Sequence, residues 1–113
     1  MPQSLTNLLT SQIIDYLLRH HCFAWRQNTT GLFNPKTQSF RPSPKAGVSD
    51  IIAVLPPNGR ILTIEVKMGH DSLRPAQEGF LESIAQVGGL TLVVHNYIQF
   101  EEFIVQYLDT PLV

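Results

Sequence analysis

SDIIAVLPPNGRILTIEVKM, residues 49–68, holds two apolar runs separated by a turn. Ile51 to Leu55 is compact and rich in β-branched side chains. Pro56, Pro57, Asn58 and Gly59 carry the turn signal. Arg60 to Met68 then alternates between polar and apolar residues. Two such runs around a proline- and glycine-rich break read as a β-hairpin. A four-residue loop pairs Leu55 with Arg60, and counting back places Asp50 opposite Glu65. Directly opposed residues of an antiparallel pair sit about 4.5–5.5 Å apart with their side chains on one face. Two carboxylates there repel, so a proton or a cation must compensate.

The strand period of two puts Thr63, Glu65 and Lys67 on that face and turns Leu62, Ile64, Val66 and Met68 toward a core. Two hard oxygen ligands with open positions suit Mg²⁺ or Mn²⁺, which keep several waters and bind phosphate. The backbone carbonyl of Val66 is a third candidate ligand. A lysine beside a metal-bound water would orient it, help deprotonate it, or stabilise charge developing on a phosphate. An isolated Glu-x-Lys is common and usually a solvated strand face; Asp50 at the mirrored position gives this one weight.

Downstream, Pro75 opens a helix with the apolar stripe Phe80, Leu81, Ile84 and Val87, and Gly88-Gly89 ends it. Gln77 lies on that stripe, facing the sheet, in the first turn where free N–H groups and the dipole favour an anion. The plainer role for it is a hydrogen bond to a loop carbonyl. Leu90 to His95 is a further strand and Phe100 to Leu108 a last helix. Upstream, Leu5, Leu8, Leu9, Ile13, Tyr16 and Leu17 have helical spacing within Ser4 to His20. At about 100° per residue, Thr6 and Gln12 fall in the arc facing the sheet and Asp15 at its edge. Phe23 to Gln27 is a short strand, and Thr29 to Gly47 a loop or loose hairpin. The order predicts a mixed α/β sheet with helices packed on it.

At 113 residues, 43% hydrophobic and 15% charged, the chain makes one domain and is no disordered tail. Its longest apolar runs are about five residues, far short of a bilayer span. MPQSLTNLLT has no signal-peptide character. The single cysteine, Cys22, allows no internal disulfide, which predicts a reducing, intracellular setting. All eight basic residues lie between Arg19 and Arg74, where three acids leave a net +5; the remainder carries six acids and no base. That asymmetry suggests one cationic surface, although an uneven solvated surface would read the same way. Arg26, Lys36, Arg41, Lys45 and Arg74 are candidate phosphate contacts, with Asn28, Thr29 and Thr30 as neutral ones. Trp25 is expected in the core rather than stacked on a base. Phe33 and Phe40 would meet DNA, a second subunit or their own core. His20-His21-Cys22 lacks a partner pair at zinc spacing, and His70 and His95 stand alone. Asp71 and Ser72 read as shaping the turn into the helix.

GVSDIIAVLPPNGRILTIEVKMGHDSLRPAQEGFLESIAQVGG, residues 47–89, resembles the VRR-NUC family of the PD-(D/E)XK nuclease superfamily. Gly47, Asp50, Gly59, Glu65-Val66-Lys67, Leu73, Gln77 and Gly88-Gly89 carry the resemblance, and Trp25-Arg26, Asn28 and Gly31 extend it to nearly the whole chain. It implies a restriction-endonuclease-like fold, an α-βββ-α-β core plus a C-terminal helix. It also implies a metal-dependent, structure-selective DNA nuclease. Asp50 and Glu65 would hold Mg²⁺ or Mn²⁺, Lys67 would support the attacking water, and Gln77 would sit near the scissile phosphate. Family members include a domain of the Fanconi-associated nuclease and stand-alone viral and bacterial copies that behave as dimeric four-way-junction resolvases. A chain this short is more like the latter, in a bacterial or phage-infected cell. Two symmetric cuts require a homodimer, for which Phe33, Phe40, Phe100, Phe103, Ile104, Tyr107 and Leu108 offer apolar surface. Two residues depart from the family pattern. Ser49 replaces the usual proline, and the family's early-helix glutamate falls near Thr6 or Asn7. The rival readings are a catalytically weak or inactive branched-DNA-binding module and a scaffold for protein interaction.

Overall fold

The computed structural model of the chain describes residues 4–27, 32–34, 39–41 and 47–108. Three helices and six strands follow in the order α1 (Leu5–Arg19), β1 (Phe23–Arg26), β2 (Leu32–Asn34), β3 (Ser39–Arg41), β4 (Ile51–Leu55), β5 (Arg60–Val66), α2 (Pro75–Gln86), β6 (Leu90–Val94) and α3 (Tyr97–Ile104). One sheet has the order β1-β4-β5-β6, and β2 pairs with β3 as a separate hairpin. Pairing is antiparallel from β1 to β5 and parallel between β5 and β6, with α2 as the crossover. This is the mixed sheet and the α-βββ-α-β order read from the sequence, with the β2–β3 hairpin inserted where a loose hairpin was expected.

The central hairpin has the predicted register: Leu55 pairs with Arg60 and Ile51 with Ile64. Leu62, Ile64 and Val66 turn to one face with Ile51, Ala53 and Ala24. They meet Leu9, Ile13 and Leu17 of α1 and Phe100 and Ile104 of α3 in one buried cluster, and Met68 is only partly buried against it. On the opposite face α2 contributes Gln77 and Leu81 as its buried residues.

The helix boundaries follow their caps. Ser4 accepts the Asn7 N–H at the start of α1. His21, at a φ of 67°, sits in the turn that ends it, where the Cys22 N–H reaches the Leu17 carbonyl. The His20-His21-Cys22 run is therefore a helix stop. Cys22 is buried, and burial pushes its thiol up to about 11.

Several expectations need correction. Only Leu9, Thr10, Ile13 and Leu17 of α1 are buried; Leu5 and Leu8 are exposed, as are Thr6 and Gln12. Leu5 and Leu8 lie outside the buried cluster and instead line an open cleft with Met68, Asn96 and Tyr97. Val87 is 82% exposed because the helix already ends at Gln86 and Val87 is its C-cap. The last helix starts at Tyr97, not Phe100, because Asn96 accepts the Gln99 N–H as N-cap while Gln99 accepts the N–H of His95. Asn96-x-x-Gln99 is close to a capping box and was the signal to read. Phe100 and Ile104 are fully buried and belong to the chain's own core. Trp25 is not a core residue: β1 lies at a sheet edge, and the indole is 38% exposed. The strand expected to reach Met68 ends at Val66, and the one expected to reach His95 ends at Val94.

Candidate active site

Asp50 lies one residue before β4, and Glu65 lies one residue before the end of β5. The register of β4 and β5 brings them opposite each other. Asp50 Oδ2 accepts the Val66 N–H at 2.8 Å, so the carboxylate takes over the last ladder bond of β5. The Asp50 main-chain carbonyl accepts the Gln27 N–H at 2.8 Å. Asp50 is thereby tied to the strands on both sides of it.

Glu65 is 1% exposed, Lys67 5% and Gln77 7%. Gln77 reaches down from the first turn of α2. Its Nε2 donates to Glu65 Oε1 at 3.3 Å, and its Oε1 accepts the Arg74 N–H at 2.9 Å. The expectation that Gln77 faces the sheet holds, and its oxygen is spent on the start of its own helix. The Lys67 Nζ is 3.9 Å from Asp71 Oδ2. The Lys67 main chain is held on both sides: its N–H donates to the Val94 carbonyl at 2.9 Å, and its carbonyl contacts His95 Nδ1. Nothing in the sequence pattern places His95 here; the parallel β5–β6 pairing does.

Burial pushes the Glu65 carboxyl up to about 8, the adjacent Asp50 carboxylate adds to the rise, and Lys67 opposes it. The folded chain therefore holds this proton more tightly than the unfolded chain. Its contribution to stability is present below the ordinary glutamate value of 4.5 and is lost as the pH rises through about 8. In the presence of a chelator, the melting temperature of the wild type should fall across that window relative to Glu65→Gln, which cannot titrate. Parallel melting curves for the two proteins would contradict the raised value.

Among the described residues, Glu65 Oε2, Ser49 Oγ and Thr63 Oγ1 are buried with no partner at full hydrogen-bond geometry, although Asp50 and Ser49 lie near enough to Glu65 to shift its carboxyl. An unpartnered carboxylate oxygen beside a second carboxylate is the donor chemistry a hard divalent cation requires. The Val66 carbonyl leaves an extended strand on the same edge as its N–H, the edge that meets Asp50. The residues fit such an ion as two carboxylates and a carbonyl. Among the described residues no cluster of three His, Cys, Asp or Glu side chains is present. α1 adds no acid: Asn7 accepts a hydrogen bond from Arg26, and the buried Thr10 bonds the Thr6 carbonyl.

Some of the described basic residues are engaged within the chain. Arg19 pairs with Asp15 at 3.1 Å, and Arg60 donates to the Gly88 carbonyl at 2.9 Å. Arg74 is exposed at the start of α2, beside Gln77. Asn28, Thr29, Thr30, Lys36 and Lys45 lie outside the described residues. Arg41, Phe33 and Phe40 are placed by backbone alone, Phe33 opposite Phe40. No helix among the described residues is long and apolar enough to cross a membrane.

The sequence matches the VRR-NUC domain over residues 3–96, from the start of α1 through β6. No curated protein and no solved structure gives a match. The matched span includes Asp50, Glu65, Lys67 and Gln77, which a restriction-endonuclease-like sheet has brought together under one helix. On that match and that architecture, the chain belongs to the VRR-NUC family of nuclease domains, whose substrate is DNA.

Proposed function

We propose that the protein is a Mg²⁺- or Mn²⁺-dependent endonuclease that hydrolyses phosphodiester bonds in branched DNA, four-way junctions above all, as a homodimer. The observation that carries this reading is the opposed pair of half-buried Asp50 and buried Glu65, with Glu65 Oε2 making no close hydrogen bond among the described residues. A divalent cation, when bound, supplies positive charge to the scissile phosphate and acidifies a water. Asp50, fixed by the Val66 N–H, holds its carboxylate toward Glu65. Lys67, on the same strand face and anchored through its main chain, orients the attacking water or stabilises the charge that develops on phosphate. Gln77 and the free N–H groups of the first turn of α2 receive the phosphate. Arg26, Asn28, Lys36, Arg41, Lys45 and Arg74 hold the flanking backbone.

Two cuts on a four-way junction need two sites about a twofold axis. Exposed apolar side chains on α1 (Leu5, Leu8, Leu18), on α3 (Ile98) and just after it (Val105) supply surface for a second copy. The DNA substrate and the lone cysteine suit a reducing compartment of a bacterial or phage-infected cell. One observation favours a second reading, a branched-DNA-binding module of weak activity: α1 brings no carboxylate to the site.

A cleavage panel separates the two. Purified protein is incubated with four-way junctions, flaps, splayed arms and duplex, in Mg²⁺, Mn²⁺, Ca²⁺ or chelator. Paired symmetric nicks in Mg²⁺ or Mn²⁺, binding without cleavage in Ca²⁺, and a mass near twice 12.7 kDa by light scattering are expected. Tight junction binding with no cleavage in any metal would select the second reading. A monomer that still cuts flaps would leave a general branched-DNA nuclease.

A further inference from the structure

Phe23 and Trp25 lie outside the machinery described so far. Both are large aromatics on a sheet edge, 67% and 38% exposed. They flank Ala24, which is buried on the α1 side, so both point to the opposite face. The register identifies that face. Trp25 pairs with Ile52 and Ile52 with Thr63; Asp50 and Glu65 lie two residues further along the same face. The two rings contact each other, with centroids 5.2 Å apart and planes tilted by 47°. The indole is also pinned: its Nε1 donates to Gln27 Oε1 at 3.1 Å, and the Gln27 N–H donates to the Asp50 carbonyl. An indole whose only donor is satisfied has π surface left to offer.

We infer that Phe23 and Trp25 form a stacking platform for an unpaired base of the DNA, two or three nucleotides from the cleaved bond. This rests on the nuclease reading above. Trp25 stands one strand across and two residues along from Asp50, about 8 Å between backbones. A stacked strand rises about 3.4 Å per nucleotide, so a base two or three nucleotides from a phosphate at Asp50 reaches the indole. Base stacking on aromatics is tolerant of sequence, and it demands a free base face. Duplex DNA offers none internally, whereas a branch point or a frayed arm does. The platform thus gives the site a way to prefer branched DNA, which the carboxylates, Lys67 and Gln77 do not supply, since they address only the phosphate. The fixed indole edge and the continuity with the carboxylate face favour a base over a second copy of the chain.

The test uses the full chain in Ca²⁺, so that it does not depend on cleavage. The probes are a splayed-arm DNA and a four-way junction with 2-aminopurine at the branch, and a blunt duplex of the same length. Wild type should quench the branch fluorophore. Trp25→Ala should bind the branched probes about ten-fold more weakly, bind duplex within two-fold of wild type, and lose the quench. Trp25→Phe should restore most of both, and Phe23→Ala should fall between. Equal weakening on all three DNAs, or unchanged branched binding, would overturn the platform. So would loss of the dimer mass in Trp25→Ala, which would make the aromatic pair a subunit contact. If Trp25→Ala does not fold, the wild-type quench and Phe23→Ala decide, and absence of both effects overturns the inference. Should wild type quench the branch yet cut nothing in Mg²⁺ or Mn²⁺, the nuclease reading fails and the platform stands.

Discussion

Asp50→Asn and Glu65→Gln are each expected to lower cleavage by about a hundred- to a thousand-fold, the range for one positioned electrostatic group. The two substitutions remove charge and leave shape nearly unchanged. Glutamine at 65 keeps the contact with Gln77 and resembles the neutral carboxyl that burial favours up to about 8. The folded protein should therefore melt no lower than wild type in chelator. Asparagine at 50 retains an oxygen for the Val66 N–H. What both would lose is one of the two carboxylates proposed to hold the cation. Mn²⁺ binding, followed by calorimetry, should weaken with cleavage, while junction binding in Ca²⁺ persists. Full cleavage by both variants at matched metal would remove Asp50 and Glu65 from the site. A loss explained entirely by a lower melting temperature would do the same.

Gly47→Val is expected to cost about 2–5 kcal/mol and to lower the melting temperature by more than about 10 °C. Gly47 has a φ of +89°, and a β-carbon added there would overlap the Ala76 carbonyl oxygen. The left-handed backbone contributes about 1–2 kcal/mol of that cost, and the overlap with helix backbone contributes the rest. The position matters to the site as well. Gly47 lies three residues before Asp50, and Ala76 immediately precedes Gln77, so this crossing seats the first turn of α2 over the carboxylates. Cleavage should fall even at temperatures where the variant is folded. Gly59→Ala is the control: its φ is +75°, and its nearest neighbour, Val54 Cγ1, is at 3.8 Å. It should show the backbone cost alone and retain activity. Equal melting temperatures for Gly47→Val and wild type would refute the close crossing.

The pairing of Asp50 with Glu65 was legible because everything that sets it is local. Turn residues at 56–59 fix the loop length, and the strand period of two then assigns every side chain from 50 to 67 to a face. The same local punctuation places the start of α2 at Pro75 and its end before Gly88-Gly89. Errors came where an element's neighbours decide. Leu5 and Leu8 have the spacing of a buried stripe, yet they line an open cleft beside Met68 and Tyr97 rather than the core. Trp25 reads as core until β1 is known to be an edge.

The sequence by itself determined the hairpin register, the face shared by Asp50, Glu65 and Lys67, the order of the elements and the family. Tertiary structure alone decided what covers that face. Placing β5 between β4 and β6 and laying α2 across it buries Glu65, raises its carboxyl, and brings Gln77 onto Glu65 and His95 onto the Lys67 carbonyl. The physical reason is one of range. Periodicity along a strand is set by backbone geometry and is complete within a few residues. Desolvation and contact depend on which distant segment packs above, and no repeat in the chain encodes that.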